Sequence, residues 1–303
     1  MPRPESANGS NIIGNLPFSL ANPDIYQAWR DEKLTRYPTV PEDLIVEISD
    51  PENLSRAEKH ALGERTRKTN MAIYSSQNGF EKIHMLPLAG QFGLQNLNVP
   101  IWTREDGVTD ITFRQGGRQG EYAPYTRHGL SWHTDGYYND TSEQVFSVLL
   151  HCYRPARQGG ESMMADPEVI YIHLRDLNPD YITALMQQDA LTIPANNEPG
   201  KVNRPAQSGP VFSIRGGHLH MRFTGRKNHI DWKDDPLLTC AREEIFKFLA
   251  DETALHYRYR LQPGQGLITN NVLHNRTSFE DYPEDEKGRL YFRARFSDRI
   301  NTI

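Results

Sequence analysis

Hydrophobic positions in this chain fall in short runs, separated by turn-forming residues. Leu44-Ile45-Val46-Glu47-Ile48 reads as a strand ended by Asp50-Pro51. Ser55-Arg56-Ala57-Glu58 is a capping box, in which a serine and a glutamate three residues on satisfy each other's backbone donors, and it predicts a helix to about Lys68. Met71 to Tyr74 is the next strand, and Leu86 to Phe92 a short helix closed near Gly93. Residues 98–127 read as loop, with Gly116-Gly117 in their midst. Val145 to Cys152 is almost unbroken apolar sequence, the pattern of a strand covered on both faces. Asp166-Pro167 and Asn178-Pro179 place a cap residue before a proline and each opens a helix.

Residues 194–210 are dense in Pro, Asn, Gly and Ser without an apolar period, which predicts a long surface loop of the kind that serves as a lid or binding loop. Val211 to Phe223 holds two strand-like pieces around Gly216-Gly217. Asp235-Pro236 opens a helix with Leu238, Ala241, Ile245, Phe248 and Leu249 on one stripe. Tyr257 to Leu261, Leu267 to Thr269 and Leu290 to Phe296 finish the chain as strands. Short strands with Gly/Pro turns and a few helices predict a mainly β, α+β fold: a β-barrel or jelly roll with helices outside. The polar, Pro- and Gly-containing residues 1–20 predict a flexible N-terminal arm, and 21–303 a single domain.

Composition narrows the class. A chain of 303 residues with 24% charged and 37% hydrophobic residues can bury a sizeable core. Its net charge of -5 argues against a nucleic-acid scaffold, which needs a basic face. No apolar run is long enough for a membrane span, and Met1 to Ser6 carry no signal-peptide core. Cys152 and Cys240 lack a C-x-x-C partner and read as buried free thiols of a cytoplasmic protein.

Candidate chemistry begins at Ser131-Trp132-His133-Thr134-Asp135-Gly136. Residues two apart on a strand share a face, so His133 and Asp135 can reach one metal ion. A lone His-x-Asp recurs by chance; the flanking Trp132, Tyr137 and Tyr138 give it a setting that can wall a pocket. His274 is the natural third ligand, since two histidines and one carboxylate leave open positions, as in non-haem iron(II) oxygenases. Zinc more often takes His and Cys and closes its shell. Arg289, Tyr291, Arg293 and Arg295 alternate with Leu290, Phe292, Ala294 and Phe296. The bland reading is a solvated edge strand. The sharper one places one of these guanidinium forks inside a barrel, on the far carboxylate of 2-oxoglutarate.

Four pieces in this order resemble the taurine dioxygenase (TauD/TfdA) family of iron(II)/2-oxoglutarate-dependent oxygenases, in the clavaminate-synthase-like group. They are W-H-T-D-G at 132–136, G-G-E-S at 159–162, L-H-N-R-T-S-F at 273–279 and R-L-Y-F-R at 289–293. The resemblance runs from about Leu44 to Phe296. It implies a double-stranded β-helix core with His133, Asp135 and His274 on iron(II). It further implies Arg289 on the distal carboxylate of 2-oxoglutarate, with Ser162 beside it, and Arg293 toward an anionic group of the substrate. Dioxygen is the other co-substrate, and succinate and carbon dioxide the by-products. Asp135 argues against halogenation, because related halogenases bind halide in its place.

The substrate is read less directly. Tyr137, Tyr138, Phe146, Arg222 and Arg226 are candidate walls, and the arginines hint at a small anionic or amino-acid-like molecule. His218-x-His220 lacks the nearby glutamate of a cupin site and reads as structural or substrate-side. The principal expectation is hydroxylation of an unactivated C–H bond. Desaturation or cyclisation, a peptide or protein substrate, and a non-catalytic jelly-roll binding protein are the alternatives. A homo-oligomer is left open.

Overall fold

The computed structural model describes residues 16–301 apart from 77, 101, 102, 104, 121, 197–203, 227, 229, 252–254 and 283–287. Two sheets form its frame. The larger has six strands in the order β1 (Ile45–Ile48), β2 (Met71–Ser76), β14 (Gln265–Thr269), β5 (Ser147–Arg154), β17 (Leu290–Phe296) and β3 (Thr109–Thr112). The smaller has four, in the order β13 (His256–Tyr259), β7 (Ser162–Ala165), β15 (Leu273–Arg276) and β4 (Leu130–His133). Three small sheets complete the β-structure: β10 (Phe212–Arg215) with β11 (His218–Met221), β8 (Leu191–Ile193) between β9 (Gln207–Gly209) and β12 (Asp231–Trp232), and β6 (Gln158–Gly159) with β16 (Phe279–Glu280). This is a jelly-roll core with flanking helices.

Strand alternation divides the interior in two. Along β2, Met71 and Ile73 join one core while Ala72 and Tyr74 join another; along β14, Leu267 and Ile268 divide likewise. The second core lies under the helices α2 (Arg56–Thr69) and α3 (Met85–Gly90). The first contains Met164, Tyr257, Leu273 and Tyr291, so it lies between the sheets, and it continues into α4 (Pro167–Leu177), α5 (Pro179–Leu185) and α6 (Pro236–Ala250). β5 is buried on both faces, as its apolar run predicts. The capping box at Ser55 and the caps at Asp166, Asn178 and Asp235 all form. No helix among the described residues is long and apolar enough to cross a membrane.

Five expectations change. β3 and β9 stand inside the stretches 98–127 and 194–210 that read as loop, because each is short and pairs with a strand outside its own stretch. Residues 1–15 of the proposed arm lie outside the described residues, but 16–20 are not loose. Phe18 is buried against Trp29 and Tyr171, and Arg175 donates to the carbonyls of Pro17 and Ser19. A helix, α1 (Pro23–Leu34), follows, which the apolar pattern did not predict. It docks through an aromatic cluster and through Lys33, whose ammonium lies 2.7 Å from Asp166 and 2.5 Å from Glu168, rather than through an apolar stripe. Cys152 is buried as expected, whereas Cys240, in α6, is exposed.

Candidate active site

His133, at the end of β4, stands opposite His274 of β15 in antiparallel register, with ring centroids 4.4 Å apart. Each ring nitrogen Nδ1 lies beside a backbone carbonyl two residues back, Ser131 O at 2.8 Å and Val272 O at 2.9 Å. A carbonyl only accepts, so Nδ1 carries the proton and Nε2 keeps its lone pair. Burial, and then the neighbouring His274, push the pKa of His133 down to about 3, so its ring is neutral.

The chain leaves β4 through Thr134, whose N–H donates to Phe223 O at 3.0 Å, and reaches the buried Asp135. Its Oδ1 lies 2.9 Å from Arg293 Nη1 and 3.8 Å from Arg295 Nη1. Burial opposes ionisation of this carboxyl, but Arg293 and then Arg295 outweigh it and hold it below the usual carboxylate range. Gly136 follows with φ +69°, where a Cβ would stand 2.6 Å from Val145 Cγ2, so this tight turn requires glycine.

Among the described residues, no group of three or more His, Cys, Asp or Glu side chains is gathered closely enough to hold a metal ion as it stands. The donor chemistry nevertheless fits iron(II): two imidazoles with free Nε2 lone pairs and one ionised carboxylate.

β17 is not the solvated edge strand of the bland reading. It lies between β5 and β3, and Arg289 and Arg295 are 5% and 3% exposed. Leu290, Phe292, Ala294 and Phe296 face the outer core, which leaves Tyr291, Arg293 and Arg295 on the face toward the barrel interior. Arg289 precedes the strand, its N–H held by Asp281 Oδ1 at 2.7 Å and its guanidinium stacked 3.9 Å over the Tyr291 ring. Its Nε and Nη1 have no hydrogen-bond partner among the described residues, and burial lowers its pKa. A Cβ added at Gly160 would lie 3.9 Å from that Nε, so the turn leading to Ser162 passes beside it. Ser162 opens β7, two residues before Met164, the partner of His274.

Tyr137 packs edge-on against His133, with centroids 6.3 Å apart, and against Tyr138 at 5.2 Å. Tyr138 accepts a hydrogen bond from Arg295 Nη1 at 3.1 Å. Arg222 does not fit its expected role. Its Nε, Nη1 and Nη2 donate to the carbonyls of Tyr137, Leu191 and Gln207 at 2.8, 2.9 and 2.8 Å. With all three nitrogens engaged it fastens three segments together and is not free to reach a substrate. Phe146 packs on buried His220, and His218 is on an exposed position of β11.

Three residues have contacts that the sequence did not assign. Arg276, two after His274, is buried and donates through Nη2 to Thr126 O and His128 O at 2.9 and 2.7 Å; burial, then Arg289, lowers its pKa to about 9. Arg295 braces Tyr138 and Asp135. Asn271, at φ +50°, grips the backbone of Asp135. The signal was present in each case, an arginine inside a quoted motif or an asparagine at a strand break, but only the fold assigns the contact.

These features define a class: jelly-roll oxygenases. The sequence matches the family described as "Taurine catabolism dioxygenase TauD, TfdA family" over residues 31–294. It is 31% identical over 168 residues to a uridine-5'-phosphate dioxygenase from Amycolatopsis sp, a match covering 52% of this chain and 58% of that protein, so under two thirds of that relative's length. A uridine-5'-phosphate dioxygenase from Streptomyces sp is 30% identical over 212 residues, 67% of this chain and 74% of that protein. The non-heme iron oxygenase OrfP, solved with Fe and alpha-ketoglutaric acid, shares the fold at a TM-score of 0.60 and 15% identity, over 81% of each chain. The chain belongs to the TauD/TfdA family and is a dioxygenase dependent on iron(II), 2-oxoglutarate and O2.

Proposed function

We propose that His133, Asp135 and His274 hold the iron, that Arg289 with Ser162 holds 2-oxoglutarate, and that the oxidised substrate is a small phosphate-bearing molecule of the nucleoside 5'-monophosphate class. The observation that carries the co-substrate assignment is Arg289. A guanidinium cannot shed its charge, and one buried with two nitrogens unpaired among the described residues is destabilising until an anion arrives. A carboxylate matches its fork with two parallel hydrogen bonds. Bound iron supplies the coupling of C–H oxidation to decarboxylation of 2-oxoglutarate, giving succinate and carbon dioxide. The protein's own part is to orient both imidazoles through the carbonyls of Ser131 and Val272, and to keep the carboxylate of Asp135 ionised.

The substrate class is supported by charge and by relatives. Arg293 and Arg295 flank the buried carboxylate of Asp135, and a second buried pair, Arg276 and Arg289, lies over Phe279. 2-Oxoglutarate and iron together leave this cationic excess in place, so a further dianion fits. Arg293, whose Nε has no hydrogen-bond partner among the described residues, is the group to meet it. Tyr137 and Tyr138 offer an aromatic wall to a planar base. The relatives named above carry uridine 5'-phosphate in their names. The buried thiol of Cys152 and the free Cys240 fit a reducing compartment, the cytoplasm.

Succinate release, measured with iron(II), 2-oxoglutarate and O2, tests the reading. Uridine 5'-phosphate is expected to raise the rate well above the substrate-free rate, and uridine without phosphate to do so weakly. Equal rates with and without every nucleoside 5'-monophosphate overturn the substrate class.

A further inference from the structure

We infer that Asn271 is a positioning residue that closes the neck of the loop carrying Asp135, Tyr137 and Tyr138, and so sets both the metal ligand and the substrate wall. This rests on the ligand assignment above. The chain passes from β14 in the six-stranded sheet to β15 in the four-stranded sheet through Asn270-Asn271-Val272. Asn271 stands at the crossing with φ +50°, a left-handed conformation that asparagine tolerates better than other side-chain-bearing residues. Its side chain is directed into the protein, and the residue is 2% exposed.

The side-chain amide is fully engaged. Oδ1 accepts from Asp135 N–H at 2.8 Å, while Nδ2 donates to Asp135 O at 2.9 Å and to Val145 O at 2.6 Å. The first two bonds imitate a strand partner for Asp135, just past the point where β4 ends. The third reaches the other end of the same loop, before β5 begins. One amide therefore ties together both ends of the segment 135–145. Its neighbour Asn270 anchors the crossing on the opposite side: Asn270 N–H donates to Asn70 O at 2.8 Å and Asn270 Nδ2 to Asn70 Oδ1 at 3.1 Å. Thr269 Oγ1 accepts from Val272 N–H at 3.0 Å and fixes the turn. Because His274 lies three residues beyond Asn271, the clasp fixes the Asp135 backbone relative to the strand that bears the opposing histidine.

A merely conformational role predicts that glycine, which adopts positive φ freely, replaces Asn271 without consequence. The clasp predicts otherwise. In Asn271→Gly, the iron(II) dissociation constant, read by anaerobic equilibrium dialysis, is expected to rise about 10–100-fold, the range for losing a group that orients a ligand. The visible absorption that appears on adding 2-oxoglutarate to the iron-loaded protein is expected to weaken in step, and KM for the primary substrate to rise with it. Unfolding temperature should fall by only a few degrees. Asn271→Ser, whose hydroxyl can meet one backbone group but not three, should fall between, and it decides the matter if the glycine variant does not fold. A dissociation constant within twofold of the wild type in either folded variant overturns the clasp. His133→Ala separates the two ideas: if it binds iron normally, the ligand assignment has failed; if it loses iron while Asn271→Gly does not, only the clasp has.

Discussion

His133 lies directly across an antiparallel strand pair from His274, and the two rings approach to 4.4 Å between centroids. Neighbouring strands bring opposite side chains this close, so the pairing of β4 with β15 by itself creates a two-nitrogen site. His133→Ala and His274→Ala should each abolish detectable iron(II) binding in equilibrium dialysis and leave no succinate formation. Their far-ultraviolet circular dichroism should stay that of the wild type, because both rings sit at the edge of the core. Iron bound at wild-type affinity by either variant would refute the ligand assignment.

Arg289 and Arg293 are four residues apart and should fail differently. Removing Arg289 deletes a buried, charge-assisted contact pair of about 3–4 kcal/mol, or roughly two to three orders of magnitude in the 2-oxoglutarate requirement. Arg289→Lys keeps charge without the fork and should fall between. Arg293→Ala should change that requirement little and instead raise KM for a phosphate-bearing substrate. Steady-state succinate kinetics, varying each compound in turn, reads the difference, and the reverse order means the two roles are exchanged.

Much of this layout is legible in the sequence. Local chemistry alone announced the caps at Ser55, Asp166 and Asp235, and the two-face burial of β5 followed from an unbroken apolar run. The sequence offered His133, Asp135 and His274 as one set; the structure pairs the two histidines across β4 and β15 and sets Asp135 against Arg293. What escaped was whatever depends on a partner far away in sequence. α1 docks by aromatic edges and ion pairs, Lys33 to Asp166 and Glu168 and Arg30 to Asp176, which leave no apolar period to read. Arg222 looked like a substrate ligand because nothing local says that its fork meets three carbonyls from three segments. Asn271 drew no reading from the sequence, because its three partners lie more than a hundred residues away.

The Lys33 ion cluster offers a stability test remote from the site. Lys33 is buried between Asp166 and Glu168, while Asp166 also accepts from Tyr37 and Asn70 and caps α4. Lys33→Met removes the cation and leaves buried carboxylates behind, a change that costs about 3–5 kcal/mol. Urea unfolding should show that loss with little change in slope. Lys33→Met unfolding at the wild-type midpoint would mean that the carboxylates are solvated or protonated at no cost.

Acid should destabilise the protein through histidines that stay neutral when folded. His151 is fully buried, stacked at 3.9 Å on Phe80, and burial followed by the nearby His84 pushes its pKa down to about 3. His220 is buried against Phe146; its pKa also falls to about 3 through burial, then through Arg299, Arg215 and Arg222. For both, the folded pKa lies below the unfolded value near 6.5, so below that value the unfolded chain binds a proton that the native chain does not. Their contribution is intact above pH 6.5 and is lost as pH falls toward 3. Between pH 7 and pH 5 each should remove about 2 kcal/mol. His220→Leu cannot take up the proton, so its unfolding free energy should fall less steeply over that range than the wild type's, by about one proton in the linkage slope. Urea midpoints measured at half-unit pH steps give that slope directly, and parallel curves for the two proteins would show that His220 already titrates normally in the native state.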